Sequence, residues 1–512
     1  MAFISASFYL FLAVVVLAYY LVPLRVRWVA LLAGSLWFYF WLSQYDPARL
    51  AVLVGAALVC WGLALLQRRI PGLKRLWLGL ALAATALPLL VLKEAPFFLS
   101  HANRTAPDWL VAPVGFSFYT LQLIAYTVDV SRGKTEPQGN FLKFLLFVSF
   151  FPQILQGPIP RYDQLGPQLL EGHRFEERTF VRGFLLLLWG FFLKLCIADK
   201  AGVVVDTIFD NYPAYPGAYV LVAGVLYSFQ LYADFLACTS FAQGAAELVG
   251  IRLADNFHRP YLATSVQDFW RRWHISLSSW LKDYIYIPLG GNRKGTLRKY
   301  LNLLLTFAVS GIWHGAGYKF LAWGLIHGFY QIAGALLRPV RGAVNGVLGM
   351  PRHPRVHTAC QRLLTFLLVM FAWILFRADT LSGGLSMIRS VFTVPNFWIF
   401  TNDALFTLGL VWKEWGVLLV CLGVLLAAGL WQEKGIVLRD KILQAPMALR
   451  WAFYIGTILF VMVFGTYGYG FDSQAFIYGG FLLPWGKKQN FWSRAFSLRR
   501  SPASAWGWSM PG

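Results

Sequence analysis

Apolar runs recur along this chain from end to end, with no long polar interval between them. A helix needs about 20 mostly apolar residues to cross a bilayer. Runs near 5–23, 28–43, 50–66, 77–93, 112–130, 141–156, 180–198, 217–236, 301–318, 320–337, 363–376, 407–430 and 451–470 meet or approach that length. Several are short, so the pattern predicts roughly ten to twelve full spans plus re-entrant or interfacial pieces, because non-helical backbone survives at membrane depth only where protein or a cavity shields it. The first run, Phe8 to Leu21, has no positively charged segment before it and no small-residue cleavage site after it, which predicts a retained anchor. The expected fold class is an all-α polytopic membrane protein, with residues 1–490 forming one membrane domain and 491–512 a basic cytoplasmic tail.

Composition agrees with the pattern: 58% of residues are hydrophobic, 13% are charged, and the net charge is +22. The bilayer is therefore the solvent, and the basic excess is confined to short loops, which is the positive-inside pattern and not a nucleic-acid surface. Arg25 and Arg27 after the first run and Arg68, Arg69, Lys74 and Arg75 after the third share one side, predicted to be cytoplasmic with 293–299, 339–362 and 433–450. The nearly neutral stretch 94–108, with Glu94, Arg104 and Asp108, is expected outside. Cys60, Cys196, Cys238, Cys360 and Cys421 are scattered without metal-ligand spacing, so neither disulfides nor zinc is expected.

The stretch 252–300 breaks the pattern, being long, aromatic and repeatedly charged, and it reads as an amphipathic or re-entrant layer on the cytoplasmic side. In it, Phe269, Trp270, Trp273, Trp280, Tyr284 and Tyr286 are expected as interface anchors. Arg293, Lys294, Arg298 and Lys299 start the next run at that face, and from Tyr300 a continuous helix would put His314 about 21 Å deep, past the midplane.

An ionisable group at such depth is expensive unless it serves a cavity or a partner. A neutral imidazole there can take a proton from a hydroxyl or thiol and return it to a leaving group, as acyl transfer requires; packing by neighbouring helices is the alternative reading for His314. Gly311, Gly315 and Gly317 around it admit a close helix or an acyl chain. His274 reads equally as a tunnel or an interface residue, His327 as a packing residue, His173 and His258 as loop residues, and His353 and His357 as solvated. Arg271, Arg272 and Lys282 can hold the phosphates of a donor such as coenzyme A, or lipid headgroups. Asp268 and Asp283 are expected to pair with them.

At these residues the chain resembles the membrane-bound O-acyltransferase family, most closely its bacterial alginate O-acetyltransferase branch. PVGFSFYTLQLIAYTVDVSRG (113–133), QGPIPRY (156–162), WGFFLKLCIADK (189–200), DNFHRPY (255–261), DFWRRWHISLSSWLKDYIYIPLGGNR (268–293), SGIWHGAGYKFLAWGLIHG (310–328) and WILFRADT (373–380) carry the resemblance across the core 113–380. It implies a ring of tilted helices with re-entrant segments and a central tunnel. It also implies His314 as the essential histidine and His274 as the second, with Trp313 beside the donor and Asp234 in support. The implied reaction moves an acyl group, usually acetyl, from a cytoplasmic thioester such as acetyl-CoA to an extracytoplasmic polysaccharide, without a bound cofactor. A periplasmic hydrolase-like partner usually completes it, and the expected location is the inner membrane. Where the family often has Ser-Gly-Tyr-Ser-Asp after Asp-Phe, this chain has LACTS (236–240) after Asp234-Phe235, which leaves the acceptor open.

D-alanyl transfer of the teichoic-acid type shares both histidines but usually lacks GGNR (290–293). A transporter would show repeated halves, and a channel would want rings of like residues in an oligomer.

Overall fold

The computed structural model describes residues 3–105, 107, 110 and 112–467. The expected basic tail at 491–512 lies outside the described residues, as do Asp108 and the end of the last expected span. Of the described residues, 77% are helical. Among the described residues the only extended pairing is an isolated antiparallel bridge between Phe257 and Trp273, which bears directly on the site.

The chain opens with α1 (Ala6–Leu21), capped by the Ser5 hydroxyl, and α2 (Arg27–Leu42), then α3 (Pro47–Arg69), capped by Asp46. Next, α4 (Lys74–His101) runs through Pro88 and Pro96, α5 spans Phe116–Ser131, and two short helices follow, α6 (Phe141–Ser149) and α7 (Tyr162–Glu171). A π-helical stretch, Phe192–Ala198, joins α8 (Glu177–Phe191) to α9 (Asp199–Asp210) in one 34-residue column beside α10 (Ala218–Glu247). Two seven-residue helices, α11 (Val266–Arg272) and α12 (Ile275–Leu281), lead to the hairpin of α13 (Thr296–His314) and α14 (Tyr318–Leu336). The rest is α15 (Arg338–Val347), α16 (Pro354–Arg377), α17 (Leu381–Thr393), α18 (Trp412–Glu433), α19 (Leu438–Gln444) and α20 (Met447–Phe464).

Seven of these helical segments are long and apolar enough to cross a membrane, or eight if the α14–α15 pair, bent by 59°, forms one span. That is fewer than the ten to twelve expected. The runs at 5–23, 28–43 and 112–130 fold as 16-residue helices and the run at 141–156 as the 9-residue α6. At about 1.5 Å per residue, 16 residues reach about 24 Å, short of a hydrocarbon core of about 30 Å.

Two further expectations change. Helix α4 continues to His101, so Lys93 and Glu94 lie inside a helix and Glu94 does not open an external loop. Prolines are tolerated there because neighbouring helices re-satisfy the freed backbone groups. The aromatics of 252–300 are also not interface anchors in the main: Phe269, Trp270, Trp273, Trp280 and Tyr284 are all buried, leaving only Tyr286 partly open. The segment folds into the bundle, where large rings fill space between helices.

Helices α5 and α10 are buried on nearly all sides, as befits elements inside a bundle. By contrast α1 exposes Leu10, Val14, Leu17 and Leu21, a flank suited to lipid.

Candidate active site

His314 is the last residue of α13, with Gly315 as its C-cap. From Thr296 the helix rises about 27 Å at 1.5 Å per residue, so the imidazole lies a bilayer core's depth from the basic end. The chain then turns at Gly317, whose φ of +101° suits glycine, and returns as α14. A side chain at Gly311 would strike the Phe320 carbonyl. The close partner admitted by these glycines is thus the next helix of the same hairpin.

His274 joins α11 to α12 in the left-handed region, at φ 45° and ψ 54°. Its conformation is imposed from outside. His258 N–H donates to the Arg272 carbonyl at 2.8 Å, and Ile275 N–H donates to the Asn256 carbonyl at 3.0 Å. The Asn256 side-chain oxygen accepts from the Ser276 backbone N–H at 3.1 Å and from the Ser276 hydroxyl at 2.7 Å. His274 Nδ1 lies 3.3 Å from that same oxygen. A backbone N–H can only donate, which assigns this Asn256 atom as the oxygen, so Nδ1 carries the proton and Nε2 keeps its lone pair. Nε2 is buried and has no hydrogen-bond partner among the described residues.

The two imidazoles face each other at 6.5 Å between ring centroids, His274 fully buried and His314 4% exposed. Trp313 packs against both, at 5.0 Å from His314 and 6.2 Å from His274, and its indole N–H reaches the Ser117 carbonyl on α5. Trp323 and Phe376 close the far side of His314 at 5.0 and 5.7 Å. His327, expected to serve packing, is fully buried among Trp270, Trp323 and Trp373, yet neither ring nitrogen has a hydrogen-bond partner among the described residues.

Asp234 belongs to a buried ionic trio. Lys194 from the π-helical stretch holds Asp199 at 2.8 Å and Asp234 at 2.9 Å. The next residue, Phe235, sets its ring edge against His274 at 4.8 Å.

At the basic end, Arg272 pairs with Asp268, as expected, and also with Glu433 of α18 at 3.1 Å. Burial opposes its charge, and the two carboxylates outweigh that and raise its pKa above the ordinary arginine value. Asp283 departs from expectation: its partner is Arg161 at 3.3 Å, not an arginine or lysine of its own segment. The Arg161 guanidinium stacks over Tyr284 at 4.4 Å, and the Tyr284 hydroxyl donates to Asp129 at 2.6 Å. Arg271 and Lys282 are exposed.

Residues 137–377, which include both histidines and Asp234, match the model of MBOAT, the membrane-bound O-acyltransferase family. The chain is 36% identical over 409 residues to the probable alginate O-acetylase of Pseudomonas fluorescens, covering 77% of this chain and 76% of that protein. The chain belongs to the membrane-bound O-acyltransferase family. The peptidoglycan O-acetyltransferase of Helicobacter pylori is 35% identical over 395 residues, 70% of this chain and 73% of that protein. The teichoic acid D-alanyltransferase of Bacillus subtilis is 30% identical over 261 residues, 48% and 65% of the two chains. This membrane-bound O-acyltransferase is accordingly a multi-pass inner-membrane enzyme and an O-acetyltransferase.

Two residues that contact the candidate site residues were not singled out from sequence. Asn256 lies within DNFHRPY, where it resembles any loop asparagine, and Arg161 lies within QGPIPRY. Both act through partners more than a hundred residues away or in a separate segment, which no local spacing reveals.

Proposed function

We propose that the enzyme takes an acetyl group from a cytoplasmic thioester, acetyl-CoA, and delivers it through the bilayer toward hydroxyls of an extracytoplasmic polysaccharide of the alginate, cellulose or peptidoglycan type. A periplasmic hydrolase-like acetyltransferase completes the transfer. The observation that carries the reading is the His314–His274 pair, two buried imidazoles from different elements, one at the end of a helix about 27 Å from its basic start. The donor's phosphates are too polar to enter the bilayer, so they stay at the basic end, where Arg271 and Lys282 are open and Arg272 braces the layer through Asp268 and Glu433. The pantetheine arm reaches inward.

His314 acts as the base. It takes the proton from the acceptor hydroxyl as its oxygen attacks the thioester carbonyl, then gives that proton to the departing thiolate. His274, with Nδ1 tied to Asn256 and Nε2 bearing a lone pair, steadies the polar end of the incoming groups. Acetyl is favoured over D-alanyl because the likeness to the two O-acetylating relatives above extends over 77% and 70% of the chain, against 48% for the D-alanyl relative.

The test is the acetyl-ester content of envelope polysaccharides from a deletion strain complemented with the parent or with His314→Ala. Acetylation is expected to return with the parent and to fall about 10²–10⁴-fold with the variant at equal membrane abundance, the loss typical of a missing general base. Parent-like acetylation by a well-expressed His314→Ala protein would overturn the assignment.

A further inference from the structure

Lys93 occupies a position that the reaction scheme above leaves unused. It lies on α4, outside residues 137–377, and is partly buried. Its ammonium lies over the Trp313 ring at 5.1 Å from the centroid and within electrostatic reach of His314. Four residues on, Phe97 meets Tyr318 at 6.0 Å, so this part of α4 reaches the turn between α13 and α14. Depth agrees independently: Lys93 stands about 28 Å from the basic start of α4, and His314 about 27 Å from that of α13.

No hydrogen bond or ion pair joins this ammonium to another described residue. Glu94, the next residue, is near enough to interact electrostatically but forms no ion pair with it, and one carboxylate oxygen of Glu94 is itself buried without a hydrogen-bond partner. A cation enclosed among packed side chains is costly unless it is paired, and the face of an indole offsets part of its desolvation. The remaining partner is an anion that the resting protein does not supply.

We propose that Lys93 is a further catalytic residue, whose ammonium binds the oxyanion formed on the acyl carbonyl during transfer. The assignment rests on the acyl-transfer reading above. The acceptor oxygen forms its bond to the thioester carbon, the carbonyl π pair moves onto oxygen beside Lys93, and His314 takes the hydroxyl proton. As the carbonyl re-forms, the C–S bond breaks, and the thiolate recovers that proton from His314. In its protonated form Lys93 acts as a preorganised donor where negative charge develops.

The test compares full-length parent, Lys93→Met and Lys93→Arg at equal abundance in membranes of the deletion strain, which retain the periplasmic partner, with acetyl-CoA and alginate oligosaccharide as substrates, across a range of pH; thermal midpoints are read on the purified proteins. Lys93→Met is expected to lose about 10²–10³-fold in kcat, as for removal of one oxyanion donor, with little change in either KM. Its thermal midpoint should hold or rise, because an unpaired charge has been replaced by an apolar side chain. Lys93→Arg should recover part of the rate. Unchanged kcat in Lys93→Met overturns the assignment. So does a fallen midpoint with no rescue by arginine, which marks a structural role. Measured against Lys93→Arg, whose charge persists at every pH used, a loss in Lys93→Met that vanishes at alkaline pH assigns the cation only to keeping His314 unprotonated, among the neighbouring His274, His327 and Glu94, and also overturns it. A rise confined to the acceptor KM points instead to an anionic group of the acceptor. Parent membranes that leave acetyl-CoA intact with alginate, cellulose and peptidoglycan acceptors alike reject the proposed function itself, a result distinct from all of these.

Discussion

His274 adopts a backbone conformation that costs an L-residue roughly 1–2 kcal/mol, and asparagine or glycine less. Its φ of 45° is maintained by the strand-like pairing of 256–258 with 272–276 and by Asn256. Replacement by alanine keeps the strain and removes the ring that fills the space beside Phe235 and Trp313, whereas glycine removes both. His274→Gly should therefore unfold later than His274→Ala, by about 1 kcal/mol in detergent melts, while both lose transfer activity. Equal melting of the two would mean the loop relaxes in either variant. Both histidines were legible because a histidine next to a tryptophan, at membrane depth or in a charged aromatic segment, stands out against apolar surroundings. Asn256 and Lys93 were not. Asparagine is ordinary in a loop, and Lys93 fell at the edge of an apolar run where a lysine usually marks the membrane surface.

Helices were recognisable from apolar runs, but their lengths were not, since composition does not say where a buried helix stops. The 34-residue column of α8 and α9 looked like a span ending near 198, with polar residues beyond it. Instead the π-helical stretch keeps it continuous and presents Lys194 to Asp199 and Asp234, only 2% of the lysine side chain being exposed. Such widened turns commonly mark functional segments. Removing the cation would leave two uncompensated buried carboxylates, so Lys194→Met should destabilise the protein by about 3–5 kcal/mol, read as a lowered unfolding midpoint and reduced membrane yield. Asp234→Asn should be milder because Asp199 still accompanies the lysine. Any activity lost in that variant would arise through Phe235, which presses on His274. A Lys194→Met protein as stable as the parent would show that the carboxylates find other protons or partners.

The class of the molecule, all helix and bilayer-embedded, follows from 58% hydrophobic residues spread without interruption. Its arrangement depends on long-range contacts that no window of sequence contains, such as Arg161 with Asp283 or Arg272 with Glu433. One such arrangement has a consequence for the surrounding lipid. The lipid-facing helix α1, with Leu10, Val14, Leu17 and Leu21 outward, has only 16 residues. Its apolar length of about 24 Å is several ångströms less than an ordinary hydrocarbon core. Where α1 crosses the core, acyl chains beside it shorten or tilt, at a fraction of a kcal/mol per ångström of mismatch. Turnover in proteoliposomes should then be higher in dimyristoyl than in dierucoyl phosphatidylcholine, with the parent's order of preference lost when α1 is lengthened by one leucine turn. Lipid length would thereby act as a rheostat on the enzyme, tying the rate of envelope modification to the thickness of the membrane that houses it.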